Sequence, residues 1–173
     1  MDIKAFKMDG LGNDFVIVDR RKSEINLTKE QIIKIGDRNN VGFDQIIFIE
    51  KKVKDVLPIK IYNPDGIEVG ACGNGSRCIA YLISKENNQK TIKLEAQNKI
   101  LEAEILSEKL VRINMGLPEF KDNKSIPIKE GLDPRKVSID FIQKEYGNGI
   151  CVNVGNPHII FFVKDCEKID IQK

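Results

Sequence analysis

The sequence predicts an α+β fold in which mostly antiparallel sheets wrap around a central helix. Short alternating or apolar segments, bounded by Gly, Asn, Asp and Pro, recur along the 173-residue chain and are typical of strands. One helical segment, from about Asn74 to Lys85, is apolar around much of its circumference. Because such a helix must be surrounded by other structure, we expect the sheets to enclose it.

Four strands and a short helix are predicted before this central helix. The hydrophobic pattern predicts strands at 3–8, 14–19, 45–49 and 58–62, with a turn at 10–13 between the first two. Thr28 and Gln31 have the spacing of a capping box, which predicts a short helix that runs to about Gly36. The Asn-Pro-Asp-Gly sequence at 63–66 is typical of a turn and ends the fourth strand.

A second group of strands is predicted after the central helix. The pattern predicts a meander of strands at 91–95, 100–106 and 110–115, followed by a loop at 119–135. A hairpin is predicted between 136–146 and 149–154, because Gly147-Asn148-Gly149 is a strong turn signal. A tight turn at 155–158 then leads into a last strand at 159–163.

The charge of the chain points to neither a nucleic-acid nor a membrane partner. Lys and Arg together number 28 against 26 for Asp and Glu, a net charge of +2, and the lysines are scattered along the sequence. The amino terminus has no apolar targeting segment, and no apolar stretch approaches the roughly 18 residues of a membrane span. We therefore expect a soluble, cytoplasmic protein.

The cysteines are not arranged for metal binding. The chain has four of them, and none belongs to a C-x-x-C pair. If Cys72 and Cys78 share a helix, they lie about 240° apart around its axis and cannot hold one metal ion. His158 is the single histidine. The expectation is free thiols and no metal.

The segment from Ala71 to Cys78 is the strongest candidate for chemistry. Its order of turn residues, cysteine and glycines places Cys72 at the start of a helix, where backbone N–H groups and the helix dipole favour a thiolate. Gly73 and Gly75 lack side chains that would keep an anionic group from those N–H groups. A cysteine base at Cys72 beside such donors indicates proton chemistry next to a carboxylate, and we expect Cys72 to be the most reactive thiol. The spacing alone also fits a cysteine packed beneath a turn.

Six motifs give the sequence its resemblance to a known family. They are MDGLGNDF at 8–15, GFDQ at 42–45, YNPDG at 62–66, CGNGSRC at 72–78, VRINMG at 111–116 and GNPH at 155–158. In these motifs and their order the chain resembles the diaminopimelate epimerases. The CGNG motif alone would also fit proline racemase-like and phenazine-biosynthesis isomerase-like relatives. The GLGNDF and GNPH motifs narrow the resemblance to the epimerase.

The resemblance implies an isomerase of the amino-acid racemase and epimerase class. That family interconverts L,L- and meso-diaminopimelate without a cofactor, on the route to lysine and peptidoglycan, with two cysteines as base and acid. Its fold has two similar domains, each with sheets around a central helix, and the active site lies between them. The substrate implied for this chain is therefore the amino acid diaminopimelate.

The resemblance also assigns roles to individual residues. Cys72 would be one of the two catalytic cysteines, and His158 would tune the cysteine pair. Backbone N–H groups of Gly73 and Asn74 would bind the reacting carboxylate. The family's other substrate-contacting positions fall on Asn13, Gln45, Asn63 and Asn156. Taken alone, His158 would be a turn histidine bonded to backbone, and Asn63 and Asn156 would be ordinary turn formers.

The sequence departs from the family pattern at two places. Asp9 stands where the family usually has His, at a position without assigned chemistry. The family's second half carries another Cys-Gly-x-Gly helix start, preceded by Glu-Arg-Gly, and neither occurs in this sequence. Cys151 and Cys166 are not followed by Gly-x-Gly and do not replace it.

These departures lead us to expect one half of an active site. Residues 1–165 would form an N-terminal diaminopimelate epimerase-like domain, and residues 166–173 would begin the interdomain connection or form a tail. The missing second domain would then be the chain's partner, and the chain alone would be inactive. The alternative is a non-catalytic remnant or a small-molecule-binding domain of the same fold. The sequence leaves the oligomeric state open, a homodimer included.

Overall fold

The computed structural model describes residues 3–120, 131–139 and 146–169. The chain divides into two compact units, Met1–Gly116 and Leu117–Lys173. The expected domain of residues 1–165 includes the first unit and most of the second, and its end at 165 stays a prediction. No helix among the described residues has the length and apolar composition needed to cross a membrane.

Among its described residues, 3–116, the first unit contains eight strands and two helices. Their bounds are β1 Ala5–Gly10, β2 Asn13–Asp19, α1 Lys29–Gly36, β3 Gln45–Ile49, β4 Val56–Tyr62, β5 Glu68–Val69, α2 Gly73–Asn87, β6 Thr91–Ala96, β7 Lys99–Ser107 and β8 Leu110–Asn114. The predicted strands and both predicted helices of this region are therefore confirmed, with small differences at their ends. The short strand β5 was not predicted.

The strands form one mixed sheet. Its order is β1-β2-β3-β4-β6-β7-β8, with β5 paired to β4. Strands β2 and β3 pair in parallel, as do β4 and β6, and the other pairs in this unit are antiparallel. Each parallel pair is joined through a helix, because a parallel connection must cross from one end of the sheet to the other. The predicted mostly antiparallel fold is confirmed.

Helix α2 is the centre of this unit. It packs against β1, β2 and β3 on one side and against β6, β7 and β8 on the other, so the sheet curls around it. Ile79 and Ala80 of the helix are fully buried, and Ile83 is 5% exposed. They share a core with Phe15 and Leu94 from the enclosing strands. The prediction of a central, enclosed helix is confirmed.

Helix α1 covers the outer face of the sheet. Ile32 of α1 packs with Val16 and Ile46, whose neighbours along β2 and β3 face α2 instead. Thr28 and Gln31 form the predicted capping box, in which each side chain binds the other residue's backbone N–H. This cap fixes where α1 begins.

The second unit is built on a hairpin. Strand β9, Ile150–Asn153, pairs antiparallel with β10, Pro157–Ile160. A 3₁₀ helix follows at Cys166–Lys168. The hairpin predicted between 136–146 and 149–154 is supported at one antiparallel bridge, between Val137 and Gly149, whereas the regular partner of β9 is β10. Residues 140–145 of the predicted strand lie outside the described residues.

The turn at 154–156 sets the pairing of β9 with β10 and overlaps the tight turn predicted at 155–158. Gly155 has a φ of 117°, and its N–H donates to the Asn153 side chain at 2.7 Å. The turn reverses the chain within three residues, so the segment after it lies beside β9. Pro157 has no N–H to donate to a sheet, and the first residue of a strand is one of the few strand positions where a proline is tolerated.

Candidate functional site

Cys72 caps the amino-terminal end of helix α2. The helix begins at Gly73, and Cys72 has the extended backbone of an N-cap residue. Its Sγ accepts a hydrogen bond from the Gly75 N–H at 3.3 Å, and its carbonyl accepts from the Ser76 N–H at 2.8 Å. The predicted position of Cys72 at a helix start is confirmed, and the residue is half-buried there.

Burial of Cys72 outweighs the influence of the helix end. Burial raises the pKa of the thiol, whereas the backbone N–H groups of Gly75 and Asn74 and the Arg77 guanidinium act to lower it. The net pKa lies above the ordinary value. The helix end therefore acts in the predicted direction, whereas burial opposes it and has the larger effect on the pKa of the thiol.

The structure explains the presence of glycine at position 75 but not at position 73. A Cβ on Gly75 would lie 2.5 Å from Cδ1 of Ile47, so only glycine lets α2 approach β3 this closely. A Cβ on Gly73 would lie 3.4 Å from Sδ of Met115, which is an ordinary contact. Packing therefore accounts for Gly75, whereas it leaves the predicted role of Gly73 beside an anionic group open.

Asn13 and Asn74 are joined by their side chains. Asn13 starts β2 after a two-residue turn in which Leu11 and Gly12 have φ angles of 55° and 86°. Its Oδ1 accepts from Nδ2 of Asn74 at 2.7 Å. Asn74 is the second residue of α2, so this bond ties the β1–β2 turn to the helix start that Cys72 caps. Two predicted substrate-contacting residues are thus held together.

Gln45 and Asn63 lie at the same edge of the sheet. Gln45 starts β3, which runs parallel to β2, and Asn63 follows the end of the antiparallel strand β4. Nε2 of Gln45 donates to Oδ1 of Asn63 at 3.4 Å. Main-chain bonds from the Asn63 N–H to Ile67 and from the Gly66 N–H to Asn63 close the turn. The Asn63 side chain is therefore not what makes this turn, which disfavours its interpretation as an ordinary turn former.

Asn156 and His158 belong to the second unit. They lie on the β9–β10 hairpin, and Nε2 of His158 is 3.0 Å from Oδ1 of Asn156. Both residues are exposed. The histidine ring thus has a side-chain partner rather than the backbone partner of a simple turn histidine. The roles that the resemblance gives to these two residues stay predictions.

Charged residues behind Asn13 were missed by the sequence analysis. Asp44 accepts from Nδ2 of Asn13 at 3.0 Å, and Arg38 bridges Asp44 and Asp14 at 2.6 and 2.8 Å. The Arg38 guanidinium holds the pKa of the Asp14 carboxyl far below its usual range, although burial acts in the opposite direction and Lys7 also contributes. The available signal was an acidic residue near the start of each of two strands, Asp14 within β2 and Asp44 directly before β3, which parallel pairing brings side by side.

Arg77 was also missed. Its guanidinium donates to Oδ1 of Asn74, one turn back along α2. The sequence signal was the i, i+3 spacing of the two residues on one helix.

Cys78 lies in a different environment from Cys72. It is buried, its Sγ is 3.6 Å from the carbonyl oxygen of Asp9, and burial raises its pKa to about 11. It lines a cavity of about 500 Å³ between β1 and β8, together with Arg77 and Tyr81. Cys72 does not line this cavity. Among the described residues no group of His, Cys, Asp and Glu could hold a metal ion.

Comparison with known proteins identifies close relatives. The diaminopimelate epimerase of Pelagibacter ubique is 47% identical over 99% of this chain. That of Phenylobacterium zucineum is 36% identical over 94% of this chain. The matched regions make up 64% and 59% of these relatives, so the chain spans less than two thirds of their length.

Solved structures share the fold. A protein described as a predicted epimerase from Pseudomonas aeruginosa aligns with a TM-score of 0.65 and 13% identity, covering 94% of this chain and 60% of its own. A hydroxyproline epimerase from Agrobacterium vitis, solved with bound trans-4-hydroxy-L-proline, aligns with a TM-score of 0.58 and 10% identity. It covers 92% of this chain and 51% of its own. At these identities the likeness establishes the fold.

The family model of diaminopimelate epimerase matches residues 5–121, the part of the chain that carries the sheet, helix α2 and the Cys72 helix start. Together with the 47% identity to the Pelagibacter ubique enzyme, this match shows that the chain belongs to the diaminopimelate epimerase family.

Proposed function

We propose that this chain supplies one half of the active site of a cofactor-independent diaminopimelate epimerase. The observation that carries the proposal is the placement of Cys72 as the N-cap of α2, beside the amide pair of Asn13 and Asn74. The proposed reaction converts L,L-diaminopimelate to the meso form, for the cytoplasmic synthesis of lysine and peptidoglycan.

The helix start supplies donors for a carboxylate. The Gly75 N–H is used by Sγ of Cys72, and the Ser76 N–H makes the first intrahelical bond. The Gly73 N–H precedes that bond and needs an acceptor from outside the helix, whereas the Asn74 N–H also acts on the Cys72 thiol and would be shared with a bound carboxylate. A substrate carboxylate bound to them would receive stabilisation as negative charge develops on it, because the donors are fixed before the reaction.

Cys72 would move the proton at the α-carbon. The reaction is reversible, so Cys72 would donate this proton as a thiol in one direction and remove it as a thiolate in the other. Inversion also needs a base on the opposite face of the carbon, and a second cysteine in the thiolate state would provide it. After one turnover the two protonation states are exchanged. Burial makes the Cys72 thiolate costly to form. The N–H groups of Gly75 and Asn74 reduce this cost because they stabilise the negative sulfur.

The 173 residues contain one cysteine at a glycine-rich helix start. We propose that a second domain supplies the other, and that this chain alone does not turn over. Loss of an acid or base costs about 10²–10⁴ in rate, and loss of an oxyanion donor about 10²–10³. Asn156 and His158 would contribute to the substrate site and to the tuning of the cysteines, as their motif suggests.

Reconstitution in trans tests the proposal. The chain is mixed with the carboxyl-terminal domain of the Pelagibacter ubique relative, and conversion of L,L- to meso-diaminopimelate is followed by chiral chromatography. We expect turnover from the mixture, none from either part, and loss of turnover in Cys72→Ala but not in Cys166→Ala. Robust turnover by this chain alone would contradict the half-site. Binding of diaminopimelate without turnover in any mixture would favour a small-molecule-binding domain instead.

A further inference from the structure

The side-chain amides of Asn13 and Asn74 have two ends of opposite hydrogen-bonding character. An amide can rotate by half a turn and exchange its NH₂ donor for its carbonyl acceptor. A ligand at the helix start would then meet a different pattern of donors and acceptors. Something must hold one orientation if these amides are to recognise one ligand.

The two amides form a short relay between groups whose polarity cannot be reversed. At one end the Asp44 carboxylate can only accept, and it faces Nδ2 of Asn13 at 3.0 Å. At the other end the Arg77 guanidinium can only donate, and it faces Oδ1 of Asn74. Between them, Nδ2 of Asn74 donates to Oδ1 of Asn13 at 2.7 Å.

This arrangement allows one orientation of each amide. Turning Asn13 alone would set its carbonyl against the Asp44 carboxylate and its NH₂ against that of Asn74. Turning both would leave the Asn74 NH₂ facing the Arg77 guanidinium. Each alternative places like groups in contact in a half-buried site, and unmade hydrogen bonds are costly there.

The Asp44 end is itself held in place. Oδ2 of Asp44 also accepts from the Asp14 N–H at 3.1 Å, and Oδ1 accepts from Arg38 at 2.6 Å. In return, the Asp44 N–H donates to Oδ1 of Asp14 at 3.0 Å. The carboxylate therefore keeps one oxygen directed at Asn13.

We propose that Asp44 and Arg77 are positioning residues that fix the amide orientation of Asn13 and Asn74 for ligand binding beside Cys72. The ligand part of this inference rests on the proposed function, whereas the relay itself does not. Neither Asp44 nor Arg77 needs to touch the ligand. Their effect is transmitted, so a change at one end should reach the amide at the far end.

Two substitutions at Asp44 separate hydrogen bonding from charge. Asp44→Leu keeps the branched shape but removes the acceptor. Asp44→Asn removes the same charge, but its carbonyl can face the two donors on Asn13 and Asp14, while Arg38, which is 59% exposed, turns to Asp14. Asp55→Leu, at a surface ion pair with Lys93, is the outside control.

The first readout is the side-chain NH₂ signals of Asn13 and Asn74 in ¹⁵N-resolved spectra of the 173-residue chain. We expect Asp44→Leu to shift and broaden the signals of Asn74, to which Asp44 has no hydrogen bond, whereas Asp44→Asn and Asp55→Leu leave them nearly unchanged. Unchanged Asn74 signals in a folded Asp44→Leu chain would overturn the relay. If Asp44→Leu does not fold, the relay is tested from the Arg77 end. We then expect Arg77→Met, but not Arg77→Lys, to shift and broaden the NH₂ signals of Asn13, and unchanged Asn13 signals would overturn the relay.

The second readout is turnover in the reconstituted mixture. We expect Asp44→Leu to raise KM for diaminopimelate about tenfold with a smaller change in kcat, and Asp44→Asn to raise it less than threefold. Transmitted NMR changes with an unchanged KM would overturn the role in ligand binding. If the wild-type mixture shows no turnover, the proposed function fails, and the NMR result still decides the relay.

Discussion

The Sγ atom of Cys72 accepts a hydrogen bond from the Gly75 N–H at 3.3 Å, so the thiol proposed to move the substrate proton also caps helix α2. One atom thus serves the fold and the chemistry. The two roles respond differently to substitution.

Replacing the thiol by a hydroxyl should separate these roles. Serine is a strong N-cap and alanine is not, so we expect Cys72→Ser to be more stable to urea than Cys72→Ala by about 1 kcal/mol. Both variants should lack turnover in the reconstituted mixture, because a hydroxyl is a much weaker acid than a thiol. Equal stabilities would show that the side chain contributes nothing as a cap.

The exposure of the cysteines predicts an order of alkylation. Cys166 is exposed, Cys72 is half-buried with a raised pKa, and Cys78 and Cys151 are buried. We expect iodoacetamide at neutral pH to label Cys166 first and Cys72 second, as measured by peptide mapping. The structure thus revises the expectation that Cys72 is the most reactive thiol. The Cys72 rate should rise with pH to a midpoint above that of a free cysteine, and a midpoint below it would contradict the burial argument.

Stability should fall at alkaline pH. Burial raises the pKa of Cys78 to about 11, so the unfolded chain loses this proton at lower pH than the folded chain does. The folded state then holds more protons, and its stability declines as the pH rises from about 8.5 towards 11. Urea titrations at several pH values in Cys78→Ala should show a shallower decline than in the unsubstituted chain. An equal slope would assign the decline to other groups.

The two glycines of the helix start should respond differently to alanine. Gly75→Ala would place a methyl group 2.5 Å from Ile47 and should cost about 1–3 kcal/mol of stability. Gly73→Ala meets an ordinary contact and should leave the free energy of unfolding within about 1 kcal/mol of the unsubstituted value. The test is the denaturation midpoint, and equal losses would contradict the close approach of α2 to β3.

The centre of α2 should be sensitive to truncation. Ile83 is 5% exposed within the core, whereas Leu82 is only partly buried against it. We expect Ile83→Ala to cost about 2–5 kcal/mol and Leu82→Ala less, measured by denaturant unfolding. A loss below about 0.5 kcal/mol for Ile83→Ala would mean that the helix is peripheral.

Local patterns account for the parts of the structure that the sequence predicted. The capping box at Thr28, the enclosed helix α2 and the helix start at Cys72 each depend on residues close in sequence. The turn at 154–156 is equally local, and it overlaps the tight turn predicted at 155–158. In each case the physical cause lies within a few residues.

The remaining features depend on which segments become neighbours. Parallel pairing of β2 with β3 brings Asp14 beside Asp44, and no local pattern specifies that pairing. The relay from Asp44 to Arg77 needs three separate segments to meet. The burial that raises the pKa of Cys72 likewise comes with its packing against the main core, which strands from several parts of the chain build.

The two parallel pairings also divide the sheet into parts that differ in when they can form. Hairpins such as β1–β2 and the meander β6–β7–β8 join neighbouring segments and close short loops. The β4–β6 pair must close a longer loop that contains all of α2, and longer loops lose more entropy on closure. Cys72 lies within that loop, so we expect its thiol to be enclosed when this pair forms rather than earlier in folding.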